Sequence, residues 1–446
     1  MNLATVHIPD PLQATQQKKM ASWPAAWIVL IVVSVGNLPV GIPYALNLVL
    51  VMYAAIFWAA SNEKFDTRLW HAIWPFCLII VLGLISGHGA DRYLYLKDAW
   101  YVSAASVYLC AGYVLYRCQP DVALGLRAFV LGGTLLALYH LSNFVRHPEL
   151  LRMSAAQLRE VLGYGSAALP LTLAILFAYF RRWSTGLKLP AWLALGCMLI
   201  CLVGVASTFS RQGAVITLIG LLAAVGSFSR RELLRFGILA LLGGMALVAL
   251  RIGLDADLGS FQSTFLGKLA HAPEELAIRD YATRMDIMTN WRGYETSRAL
   301  HAYAIGTRFE WVFGRGFGHS VDLGLFMNMG TGTTGERERI NLAPILHNGY
   351  AFMLVKAGPM AIALFLAAVA WLYRMGRRQA ASAIPAIAAP SRVLQACALV
   401  MLFVTWISMG ALAGGHFVLA AGYLLAAVTR GAEPSTRPVP PTQPYR

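Results

Sequence analysis

A few side chains in this sequence have types and positions suited to chemistry at a membrane surface. His347 and Asn348 stand where the polar run "NLAPIL" gives way to an apolar helix. Lys356 follows nine residues later, about 13 Å along a helix axis. Histidine exchanges a proton near neutral pH, so one at a helix mouth suits a general base. A lysine at the centre of a membrane helix costs at least ~2.5 kcal/mol, which makes it a functional or a paired residue. Two arginines complete the set. Arg211 lies in "STFSRQGAVITL", a very short turn between two apolar runs, and Arg284 lies in "RMDIMTNW" with Met288 and Trp291 after it.

Each of these has a plainer reading beside the chemical one. Arg211 can snorkel at a helix end, Arg284 can pair with Asp280 four residues earlier, and His347 can be an interfacial residue. Lys356 can cap a carbonyl or pair within the bundle. Taken together, cations at one membrane face and one base of neutral pH range suit an anionic lipid substrate. A diphosphate joining a lipid to a sugar calls for forked cations. Charge grows on such a leaving group as its bond to the sugar breaks, and arginines placed there stabilise it.

The elements that must position these residues are membrane helices. The 446 residues are 58% hydrophobic and only 13% charged, a balance that excludes a soluble domain of this length. Apolar runs read as twelve helices, near 25–40, 43–60, 69–87, 99–116, 122–145, 164–180, 190–208, 212–228, 236–252, 346–373, 393–410 and 412–429. The expected fold is an all-α polytopic membrane protein. Its parts are an N-terminal tail (1–24), helices one to nine (25–252), a large loop (253–345), helices ten to twelve (346–429) and a Pro-rich tail (430–446).

With the N-terminus in the cytoplasm, the inner connections and tails carry 18 Lys and Arg against six acids, a net +12. The large loop carries nine against eleven, a net −2. The positive-inside rule therefore places both termini inside and the large loop outside. The overall charge of +15 is thus a topology signal and not a nucleic-acid footprint. Within the loop, "PEELAIRDYATRMDIMTNWRGYETSRALHAY" reads as helix, with Leu276, Tyr281, Met285, Met288 and Trp291 on its apolar face. "MNMGTGTTGERER" reads as an aperiodic mobile loop.

Other features carry less. The six cysteines fall in or beside apolar runs and read as small core residues, without a disulfide or zinc pattern. "GRGFGHS" (Gly314, Gly316, Gly318) has no strand before it and reads as a tight turn, with His319 beside it as a second candidate base. His301 is a third. "DAD" (Asp255, Asp257) is a weak metal pattern, and no metal or cofactor is expected.

In order, "STFSRQGAVITL", then "RMDIMTNWRGYETSRALHAYAIGTRFEWVFGRGFGHS", then "LAPILHNGYAFMLVKAGPMAIALFL" resemble the O-antigen ligase family over roughly residues 195–370. The shared features are a Ser-Arg-x-Gly turn, an arginine with a following tryptophan in the large loop, a Gly-x-Gly turn and a His-Asn helix entry. The resemblance implies a membrane-embedded C-type glycosyltransferase in the bacterial inner membrane, with its active site facing the periplasm. It would move a glycan from undecaprenyl diphosphate onto lipid A–core lipopolysaccharide, without metal or nucleotide and with inversion. By motif, Arg211 and Arg284 would hold the diphosphate and His347 would lie at the reaction centre. Asn348, Trp291, His319 and Lys356 are expected around the substrates. O-antigen polymerases and protein O-oligosaccharyltransferases share the motifs and the donor. A transporter of anionic lipids is the reading from another class. Internal repeats and midplane helix breaks would mark it, whereas here the candidates gather at one face.

Overall fold

The computed structural model describes residues 27–33, 49, 52, 66–87, 91–147, 167–180, 187–207, 211–225, 272–281, 283–330, 337–382, 385–412 and 415–431. The helices expected over 43–60 and 236–252, both tails and the Asp255–Asp257 pair lie wholly or mainly outside these residues.

The chain is predominantly helical. Along it run α1 (Thr67–Ser86), α2 (Arg92–Cys118), α3 (Val122–Arg146), α4 (Ala168–Phe180), α5 (Ala191–Ser207) and α6 (Arg211–Val225). A set of loop elements follows, then α11 (Gly349–Ala380), α12 (Pro385–Ser408) and α13 (His416–Gly431). Five helices among the described residues are long and apolar enough to cross a membrane, namely α1, α2, α3, α11 and the Ile387–Ser408 part of α12. Aspartates open the first three. Asp66 accepts from Arg68 N, Asp91 from Leu94 N, and Asp121 from Ala123 N and Leu124 N, satisfying amides that a helix start leaves unpaired.

Helix α2 begins seven residues before the apolar run suggests, because Asp98 is buried inside the bundle and is not part of a solvated turn. Helices α2 and α13 approach closely at glycines. A Cβ on Gly112 would lie 2.0 Å from Leu419 O, and one on Gly422 would lie 2.1 Å from Leu109 O. Such small-residue crossings are how membrane helices gain contact without a hydrophobic driving force. Around them Phe76 meets Phe365 edge-on at 6.1 Å and Tyr423 meets Tyr116 at 5.3 Å.

The loop region departs from expectation in two ways. Its long helix is three, α7 (Ala272–Leu276), α8 (Arg284–Thr289) and α9 (Trp291–Ala304), followed by α10 (Arg308–Phe313). The break at Asn290 arises because its side chain turns back to Asp286 O (3.1 Å) and Asp286 Oδ1 (2.8 Å). Met285 and Met288 are exposed, and Arg284 and Trp291 lie on different helices. Secondly, the stretch expected to be aperiodic contributes to an antiparallel hairpin, β1 (Val321–Gly330) with β2 (Arg337–Ala343). Cross-strand backbone bonding supplies what the sequence pattern does not show. An irregularity between Asp322 and Met327 breaks the two-residue alternation by which strands are recognised.

Candidate functional site

Helix α11 starts with a cap. The Asn348 side chain accepts from Tyr350 N (3.0 Å) and Ala351 N (3.2 Å), so its carbonyl oxygen is committed to the helix start. One residue earlier, His347 is bound to Glu295 of α9. Its backbone N–H donates to Glu295 Oε2 (2.7 Å), and its ring Nδ1 lies 3.0 Å from the same oxygen. Glu295 is buried, at 2% exposure, while the His347 side chain is 44% exposed. No local pattern distinguishes Glu295, one loop acid among eleven.

The start of α11 packs on the end of α12. Tyr350 OH donates to Leu402 O (2.9 Å), and a Cβ on Gly349 would lie 2.6 Å from Thr405 Cγ2. The start of α6 arrives at the same place, with Gln212 Nε2 donating to Ser408 Oγ (2.8 Å). The backbone of Arg211, the first residue of α6, therefore sits at the same end of the bundle as His347. Its side chain lies outside the described set.

Arg284 opens α8 and is exposed. Its Nη2 donates to Phe326 O of β1 (3.2 Å), and Asp286 takes Arg279 as its ionic partner (2.7 Å). Among the described residues Arg284 does not touch His347. Trp291 is half-buried against Tyr294, which stands edge-on to Tyr281 at 5.4 Å. The Trp291 indole Nε1 is buried and has no partner among the described residues. His301 is exposed on α9.

The glycine turn is threaded into the bundle. Phe317, fully buried, donates its N–H to Gly83 O (2.9 Å), and a Cβ on Gly316 would fall 2.0 Å from Gly87 N. Helix α11 is broken at Gly358 (φ 76°), before Pro359. Pro359 has no N–H for Val355 O, and Arg315 N–H occupies that carbonyl instead, at 2.6 Å. Lys356, 1% exposed, reaches Asp98 Oδ2 at 2.5 Å and donates to His319 O. Asp98, also 1% exposed, accepts from Gly318 N (2.7 Å) as well. Of the readings open to Lys356 from sequence, the structure displays pairing and carbonyl capping together. The acid of "YLKDAW", lying within a spanning helix, is the signal that would have found its partner.

His319 sits above this pair, with Nε2 3.5 Å from Arg315 Nη1. Burial, then the nearby charges of Arg315 and Lys356, push its pKa down to about 4. The folded chain thus resists a proton that the unfolded chain accepts near pH 6.5. The unfolded state binds more protons between about pH 6.5 and about pH 4, so stability falls as pH falls through that window. The thermal midpoint of detergent-solubilised protein is expected to drop across it, and His319→Gln is expected to flatten the drop. An unchanged slope in that variant would assign the proton uptake to another group.

The arrangement offers a half-exposed imidazole held by a buried carboxylate, at the end of the bundle where α6 and α11 begin and α12 ends. No protein-family model and no curated protein matches the chain.

Proposed function

We propose that this protein is a glycosyltransferase of the O-antigen ligase type, transferring a glycan from undecaprenyl diphosphate to lipid A–core lipopolysaccharide. In this reading the bundle has twelve spans and both termini are cytoplasmic. The 253–345 region faces the periplasm, and the protein sits in a bacterial inner membrane. The observation that carries the proposal is the His347 side chain, half-exposed at the end of the bundle where α6 begins and tied through Nδ1 to a carboxylate. An imidazole held in that way keeps its other nitrogen for a proton.

The step follows from those groups. An acceptor hydroxyl oxygen bonds to the anomeric carbon while the bond from that carbon to the diphosphate oxygen breaks. The hydroxyl proton passes to His347, and the electron pair leaves on undecaprenyl diphosphate. Arg211 and Arg284 supply positive charge to the departing diphosphate, and the start of α11 adds the positive end of its helix dipole. Attack opposite the leaving group inverts the anomeric centre. Lys356 serves the site indirectly, by holding the turn that carries Arg315 and His319.

Deletion of the gene tests this reading. Loss of capped lipopolysaccharide with accumulation of lipid-linked glycan supports a ligase, whereas caps shortened to single repeats would indicate a polymerase. Unchanged surface polysaccharide would overturn both.

A further inference from the structure

Glu295 is the least expected charge in the loop region. It is a carboxylate at 2% exposure, and burying an ionised carboxylate is costly unless it is paired and hydrogen-bonded. Among the described residues both of its hydrogen bonds go to His347, one from the backbone N–H and one at the ring. An ionised carboxylate only accepts. The ring nitrogen 3.0 Å away must then carry the hydrogen, which leaves the lone pair of the neutral imidazole on Nε2. Because one oxygen holds both the backbone and the ring, the imidazole is fixed in orientation as well as in tautomer.

We infer that Glu295 is the positioning residue of His347, setting Nε2 as the nitrogen that takes the acceptor's proton and stabilising the imidazolium that results. This rests on the transferase reading for its role in turnover, but not for the tautomer it assigns. The competing possibility is a staple that merely joins α9 to the start of α11. A staple depends on hydrogen bonding alone, and a glutamine oxygen can accept the same two bonds. Glu295→Gln therefore separates the two, since it keeps shape and acceptor and removes charge.

Two measurements on the full-length protein in lipid nanodiscs decide the matter. In the transfer assay Glu295→Gln is expected to lower kcat on the order of 10²-fold, toward the smaller end of what a positioned base contributes, with donor KM little changed. Adding Glu295→Gln to His347→Gln is expected to cost nothing further, because the carboxylate acts through the ring. Glu295→Asp is expected to recover part of the rate. Additive losses in the double variant, or wild-type kcat in Glu295→Gln, would overturn the inference. The second measurement needs no turnover. Acylation of His347 by diethylpyrocarbonate, followed by peptide mass spectrometry, is expected to be several-fold slower in Glu295→Gln than in wild type. Equal rates would overturn the assignment. An inactive wild type with a slowed Glu295→Gln acylation would sink the transferase reading and leave the dyad standing.

Discussion

Replacing His347 with alanine is expected to lower the rate of glycan transfer by about 10²–10⁴-fold while the lipid-linked donor still binds. The size follows from the loss of a positioned base, and the selectivity follows from the placement of the other groups. In the proposed reaction the arginines bind the donor, and His347 acts only as the hydroxyl proton leaves. Neither Asn348 nor Tyr350 can take over, since the Asn348 oxygen caps α11 and the Tyr350 hydroxyl is directed to Leu402 O. A competing histidine is available in His319, but its low proton affinity makes it a poor acceptor at neutral pH. Single-turnover transfer rates for His347→Ala and His319→Gln, alongside equilibrium donor binding, check the assignment. Wild-type transfer in His347→Ala would remove this residue from the reaction.

Breaking the Asp98–Lys356 pair is expected to be the most destabilising single change in the bundle. Lys356→Met leaves an unpaired carboxylate at 1% exposure and takes a donor from His319 O, a loss of roughly 3–5 kcal/mol. Asp98→Asn is expected to be milder, because an amide oxygen still accepts from Gly318 N and from the lysine. The combined change of Asp98→Leu with Lys356→Met removes both charges and is expected to recover part of the loss. Recovery stays incomplete, since Gly318 N–H and His319 O remain without those partners. Thermal unfolding in detergent reads all of these. A Lys356→Met protein as stable as wild type would show that the pair does not hold the turn.

Much of the helical frame was legible because a membrane helix announces itself by length and apolarity alone. The expected runs near 69–87, 122–145 and 190–208 correspond closely to α1, α3 and α5. The run expected near 99–116 starts seven residues late, since nothing local marks Asp98 as buried until Lys356 is seen beside it, 258 positions away in sequence. Neither the break at Asn290 nor the hairpin was legible, for a related reason. One is made by a side chain turning back on its own helix, the other by pairing between strands whose alternation is interrupted. For the site, sequence motifs singled out His347 and Arg211, and the packing of α6, α11 and α12 brings their backbones to one end of the bundle. Glu295 was invisible, since nothing local distinguishes a buried loop acid from a solvated one.

In the proposed reaction arginines and a histidine, without a metal, move a glycan from a lipid diphosphate to a lipid-linked acceptor. Its most direct test is transfer by the purified protein in liposomes holding both lipids, with EDTA in excess. Lengthened acceptor and released undecaprenyl diphosphate are expected at the same rate with and without chelator, with severe loss in Arg211→Ala. Transfer abolished by EDTA and restored by Mg²⁺ or Mn²⁺, or no transfer under either condition, would overturn this reaction.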